Sequence, residues 1–493
     1  MALGSRVVRV AVARVAVVAR RSRPIRASLG ALCISLSLAA CSVDAGTPAG
    51  EACDIAAELA AIPGLSATEA PSMLEGYRFF RMTYEQPEDH ANPTGARLSQ
   101  RFTLLHRDCS APNVIHNGGY FVSQTPTALE LTRMTGANQL AMEHRFFGPS
   151  RATPADWSKL DIAQAAADQH RVIGAFKAIY RGRWISTGTS KGGMTSIFHR
   201  RFYADDVDGT VAYVAPIMYE ADLVPTRDNR FVRFVDTVGS DAACRQQLRE
   251  FQRLVLMRRD AMKTAMAALA ASQNTVYDRF LGPDKALEFS IEQMPFLFWQ
   301  YGTAEACANI PSETATDAEV FSFFNDAASV IDWADASLDA FLPFYHHAAR
   351  ELGYSSNDES HLTDLLRYPG QDVPRSYVPA EYPLGSYSDA SMRDVQSWLR
   401  TEGRAVLLLY GQNDPWTAGA FELGSARDSF RFDVPGGNHR AKILDLPEPD
   451  RSAALGVVGR WAGVTARVPP MTTPALTELG SDAVFDGPRR GPL

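Results

Sequence analysis

Cysteine is scarce: six residues in 493, and no two of them stand in a C-x-x-C pair. Closed zinc sites are usually built on such pairs, so the chain offers no metal signature and no cofactor is expected. Positive charge is also short. The net charge is −7, and setting aside the seven Arg of residues 1–41 leaves about −14 for the rest. So acidic a chain is a poor nucleic-acid binder, whereas its surface would attract cationic groups such as peptide amines. Beyond residue 41 no apolar run is long enough to span a bilayer, and no internal repeat is visible. Disorder is excluded by 46% hydrophobic and 21% charged residues, which describe a globular chain.

What is present begins with an address. Arg20, Arg21, Arg23 and Arg26 precede an apolar run from Leu29 to Ala40, the layout of a signal peptide over residues 1–40. It ends Leu38-Ala39-Ala40-Cys41, which resembles a bacterial lipobox with Cys41 as the lipidated first mature residue. An ordinary secretory signal is the alternative. Membrane contact is therefore expected only through a lipid anchor. Four further cysteines, Cys53, Cys109, Cys244 and Cys307, suit two disulfides in an exported chain. Three pairings are open, and proximity along the chain favours Cys53–Cys109 and Cys244–Cys307.

Residues 41–72 are rich in Ala, Gly, Pro, Ser and Thr and read as a tether with a short helix near Ile55–Ala61. Strand-like runs at Tyr77–Tyr84 and Leu98–His106 read as a long hairpin. Strand and helix patterns then alternate from Val114 to Val214, the mark of a mainly parallel sheet covered by helices. The alternation stops at about Ala221. Long amphipathic stretches such as Cys244–Ala271 and Asp317–Glu351 follow, and strand signals return at Ala405–Tyr410 and Phe430–Val434. The expected fold class is α/β, an α/β-hydrolase core with a large helical cap. Core residues 73–220 and 386–465 flank a cap of residues 221–385, and 466–493 form a flexible tail.

The chemistry centres on Gly188-Thr189-Ser190-Lys191-Gly192, between a β-rich run and a helical pattern. In that context Gly-x-Ser-x-Gly is a nucleophile elbow. A serine needs a base, and the base needs an acid to orient it, in the chain order Ser, Asp, His. Asp414 follows the strand Val406–Tyr410, and His439 follows the strand Phe430–Val434. Asp433 is a rival acid, but it lies within its strand. The oxyanion would be held by the backbone amide of Lys191 and one from Asn117-Gly118-Gly119-Tyr120, either Gly119 or Tyr120; Asn-Gly also favours a plain hairpin turn there. Glu143-His144-Arg145 is either a structural ion-pair knot or part of the cleft wall.

Several stretches together resemble one group: Gln86-Pro87-Glu88-Asp89-His90, Gln100-Arg101-Phe102, Gly118-Gly119, Glu143 to Gly148, Gln164 to Asp168, and Asn413-Asp414-Pro415-Trp416. They look like the proline-specific serine exopeptidases, which include lysosomal Pro-X carboxypeptidase and dipeptidyl peptidase II. Lys191 after the serine is similar to the secreted bacterial branch, the prolyl tri/tetrapeptidyl aminopeptidases. The resemblance implies a serine exopeptidase that cleaves after proline near the free N-terminus of peptides. By it Ser190, Asp414 and His439 form the triad of a metal-free acyl-enzyme route, and Glu143 and Trp416 are candidates for contact with the peptide. Acidic cap residues are equally open as the group that holds the amine. Gly-Gly-Asn-His-Arg around His439 departs from the lysosomal pattern while keeping the position. A lipase or esterase on the same scaffold is the rival enzyme, and a hydrolase-fold binding protein the non-enzymatic rival.

Overall fold

The central strands of the sheet are buried nearly from end to end, because each is covered on both faces. In a computed structural model describing residues 53–469, nine strands make one sheet: β1 (Leu65–Ala70), β2 (Arg78–Pro87), β3 (Arg97–His106), β4 (Asn113–Asn117), β5 (Asn138–Met142), β6 (Trp184–Thr189), β7 (Gly209–Tyr213), β8 (Val406–Gly411) and β9 (Phe430–Val434). Their spatial order is β1-β2-β3-β5-β4-β6-β7-β8-β9. Pairing is antiparallel from β1 to β5 and parallel from β5 through β9. Alternate residues of β8 serve opposite cores. Leu407 and Leu409 pack with Val457 and Trp461 of the helix Asp450–Ala462, while Val406 and Leu408 join Met194 and Ile197 of the helix Lys191–Phe202.

The topology positions the site. From β4 the chain passes to β5 on one side and then returns to β6 on the other, so β4 and β6 are neighbours whose carboxyl ends meet at Asn117 and Gly188. A crevice opens where strand order reverses in this way, and ligands of open α/β sheets bind there. Between β7 and β8 the chain inserts a set of helices, among them Arg230–Thr237, Ala242–Met257, Arg259–Ser272, Pro283–Tyr301, Asp317–Ala328 and Asp335–His347. The stretch Cys244–Ala271, which reads as one amphipathic run, is two helices parted at Arg258. Asp317–Glu351 also breaks, because Ser329 turns left-handed at φ 54° and caps the first helix through Asn325 O.

Residues 53–72 correct the reading of a tether. They hold the helix Ile55–Ala60 and β1, which pairs along β2 from Leu65↔Tyr84 to Ala70↔Phe79. Leu-Ser-Ala-Thr-Glu-Ala hides a strand because at a sheet edge no face need be strongly apolar. Residues 1–52, with the signal segment and Cys41, and residues 470–493 of the tail lie outside the described residues. Disulfides join Cys53 to Cys109 and Cys244 to Cys307. The first closes a loop of 56 residues onto the sheet edge and the second a loop of 63 within the cap. Reduction is expected to cost about 2–4 kcal/mol per bond, read as a lower urea midpoint in reductant. Among the described residues no helix is long and apolar enough to cross a membrane.

Candidate active site

β6 ends in a turn that only small residues can make. Ser190 sits at φ 58°, ψ −125°, a conformation L-residues avoid. A Cβ on Gly188 would lie 2.2 Å from the backbone C and O of Gly192, and one on Gly192 2.2 Å from Asn117 O. The strained turn is tied down by Ser190 N–H to Tyr213 O at 2.8 Å and Met194 N–H to Ser190 O at 2.9 Å. The helix Lys191–Phe202 starts immediately after Ser190, so its first free N–H groups face the serine end of the turn.

Two loops from the carboxyl ends of β8 and β9 close on that serine. His439 Nε2 lies 2.8 Å from Ser190 Oγ, and His439 Nδ1 lies 2.7 Å from Asp414 Oδ2. A carboxylate only accepts, so Nδ1 carries the hydrogen and Nε2 faces the serine hydroxyl as acceptor. All three side chains are buried. Asp414 Oδ1 accepts the Trp416 amide at 3.1 Å, and His439 N–H donates to Gln300 O of the cap at 3.0 Å. Tyr301 stands edge-on to the imidazole, ring centroids 6.0 Å apart. Gln300 and Tyr301 were not legible as site residues, since nothing in their spacing ties them to His439 far along the chain. Asp433, the rival acid, pairs with Arg431 on the exposed side of its strand.

The Gly118-Gly119 loop meets the elbow. Gly119 is left-handed at φ 76°, and a Cβ there would sit 2.5 Å from Gly192 N. No residue but glycine fits so close an approach. Lys191, fully buried, donates from Nζ to Gly119 O at 2.6 Å and lies 5.4 Å from the ring centroids of both Tyr120 and Phe147. Burial pushes its ammonium well below the usual lysine range. The side chain of Lys191 thus braces the loop, while its amide belongs to the helix start beside Ser190. Tyr120 is buried among Phe147, Phe341 and Phe344, which joins this loop to the cap.

Glu143 requires a correction. The reading that it holds a peptide amine fails on geometry: the side chain is fully buried and both oxygens are used. Oε1 accepts from Ser150 Oγ at 2.8 Å, and Oε2 from Val122 N–H at 3.3 Å and from the Arg101 guanidinium. Burial raises its pKa above the usual glutamate range, with Arg101 opposing. Its neighbour Arg145 is the centre of the knot. Nε and Nη2 each reach Asp168 at 2.7 Å, Nη1 reaches Glu88 O at 2.9 Å, and His90 Nε2 meets Asp168 at 2.7 Å. The motifs Gln86–His90, Glu143–Gly148 and Gln164–Asp168 therefore converge on one buried ion pair behind the site. Burial alone would raise Asp168, but Arg145 and His90 outweigh it and hold the carboxyl low. Asp168 thus contributes stability above the ordinary aspartate range that is lost as pH falls through its lowered value. Arg145→Met takes both guanidinium contacts from that buried carboxylate and leaves it only His90. It is expected to cost about 3–5 kcal/mol in denaturant unfolding.

Trp416 is buried too. Its ring packs 4.8 Å from Phe296 and 5.7 Å from Phe231 and Tyr354, so it seats the cap on the Asp414 turn. The indole N–H has no partner.

A mostly parallel sheet with a strained serine at its switch point, and a helical insertion before β8, define an α/β-hydrolase. Residues 48–486 match the family model described as PS-10 peptidase S37, and the chain belongs to that family. It is a serine peptidase. Over 433 residues it is 42% identical to a prolyl tri/tetrapeptidyl aminopeptidase of Streptomyces mobaraensis, covering 86% of this chain and 89% of that protein. Among solved structures, VinJ aligns at TM-score 0.37 and 12% identity over 80% of this chain and 99% of its own. A proline iminopeptidase of Mycobacterium smegmatis aligns at 0.35 and 13% over 80% and 99%.

Proposed function

We propose that this is an exported exopeptidase that releases short peptides by cleaving after proline near a free N-terminus. Ser190 attacks the prolyl carbonyl, His439 takes its proton and returns it to the leaving amine, and Asp414 holds the imidazole in the required tautomer. The amide of Lys191 and one from Gly119 or Tyr120 stabilise the oxyanion. The carrying observation is the chain of 2.8 Å and 2.7 Å contacts from Ser190 through His439 to Asp414, buried under a cap. Specificity for proline and for a free amine rests on the relative from Streptomyces mobaraensis. The arginine-led apolar N-terminus and two disulfides support export, with Cys41 as the lipid attachment site if the lipobox is used.

The test is a panel of chromogenic tripeptides ending in proline, with free and acetylated N-termini, beside a short-chain fatty ester. Turnover of the free peptide and not the acetylated one is the expected result. Ester turnover alone would transfer the reading to an esterase.

A further inference from the structure

The cap helix Pro283–Tyr301 touches the site at one end and carries an unexplained acid in its middle. Its last turn holds Gln300, whose carbonyl receives the His439 amide, and Tyr301 against the imidazole. Eight residues earlier stands Glu292. It is 1% exposed, and neither carboxylate oxygen has a hydrogen-bond partner. Ionising a buried acid that has no partner is costly, and a cation brought by a ligand would offset that cost.

Glu292 faces a pocket whose wall includes Phe296 and Trp299 on the same helix. Positions 292, 296 and 299 follow the i, i+4, i+7 spacing of one helix face. Phe296 in turn packs on Trp416, two residues past Asp414, so the pocket is one aromatic layer away from the triad. The other charges in its wall are committed. Arg249 pairs with Asp236 and Asp358, Arg245 donates to the carbonyls of Val238 and Gly239, and His361 meets Gln252 at 2.8 Å. The nearby Asp372 accepts from Gln293, Tyr377 and Asn357. Glu292 alone among these is left over.

Length supports the same assignment. At 1.5 Å per residue, eight helical residues place Glu292 about 12 Å along the axis from Gln300. An extended tripeptide spans about 10–11 Å. A chain with its third carbonyl beside the Gln300 end of the helix, where His439 is held, would therefore bring its first nitrogen to the neighbourhood of Glu292.

Resting on the function proposed above, we infer that Glu292 is the anchor for the substrate's α-ammonium group, and that its distance from Ser190 sets the length of peptide released. Burial, with the carboxylates of Asp372, Glu359 and Glu288 close by, pushes Glu292 well above the usual glutamate range, as befits an acid whose counter-ion arrives with the ligand.

The test compares wild type with Glu292→Gln, which keeps shape and removes charge. Alanyl-alanyl-proline p-nitroanilide, its N-acetyl form, and the free dipeptide and tetrapeptide homologues are the substrates. A fluorophosphonate that labels Ser190 without using the amine site is the control. Wild type should prefer the free tripeptide. Glu292→Gln should lose about 100-fold or more in kcat/KM for it, mostly in KM, as expected when an ammonium is buried without its partner. Discrimination between free and acetylated peptides should fall toward unity, length preference should flatten, and the labelling rate of Ser190 should stay unchanged. A variant that labels normally yet still discriminates free from acetylated peptide would overturn the assignment while leaving the proposed function standing. Wild type that labels but cleaves none of the peptides would overturn both. Should Glu292→Gln fail to label, Glu292→Asp serves: the anchor predicts a loss confined to free-amine peptides, and an equal loss on acetylated ones would contradict it.

Discussion

Replacing Ser190 with alanine is expected to lower kcat on a free prolyl peptide by about 10⁴–10⁶-fold while leaving the thermal unfolding transition in place. The size follows from what remains. Without the hydroxyl no acyl-enzyme forms, and only the oxyanion donors and substrate binding still act on a water attack. His439→Ala should cost nearly as much, and the double variant little more, because the two contribute one step jointly. The Ser190 change should not unfold the protein. Ser190 makes its structural contacts through the backbone, to Tyr213 and Met194, and alanine keeps both. Additive losses in the double variant would mean that serine and histidine work separately.

Gly188→Ala is expected to have the largest effect on stability. The added methyl would lie 2.2 Å from two backbone atoms of Gly192, which cannot move aside as a flexible side chain could. Relief requires lifting the helix Lys191–Phe202 off β6, and with it Met194, Ile197 and Phe198 out of the core. A loss of about 4 kcal/mol or more, with inactive protein, is the expected outcome, measured by urea unfolding and by Ser190 labelling. Gly174→Ala is the control, since nothing lies within 4 Å of a Cβ there. Equal stability of the two variants would show that the elbow is looser than its geometry implies.

Much of the site was readable in advance because its chemistry is written next to strand ends. Ser190, Asp414 and His439 each follow a run of β-preferring residues, and a parallel sheet gathers its carboxyl ends along one edge. Gly119 was legible for a related reason, as a glycine directly after a short apolar strand. What stayed hidden depends on partners distant in sequence. Glu143 reads equally as part of an ion-pair knot or of the cleft wall, and only Arg101 and Val122, closing on it from other elements, decide for the knot. The knot of Arg145 and Asp168 looked like separate motifs, though their recurrence together was already a hint of one structural unit. Glu292 lies inside an apolar helix, where a single acid carries no pattern, and only burial without a partner distinguishes it. β1 carries no strand pattern in its sequence because an edge strand needs little hydrophobicity.

Ser190 is the proposed nucleophile toward a free-amine prolyl peptide. A diphenyl phosphonate analogue of alanyl-alanyl-proline, which mimics the tetrahedral state and traps a serine nucleophile, tests this in one reaction followed by intact-mass analysis and peptide mapping. The expected result is one adduct per chain, on Ser190, absent from Ser190→Ala and formed far more slowly by the N-acetyl analogue. An adduct on another residue, or equal rates for the free and acetylated reagents, would contradict it.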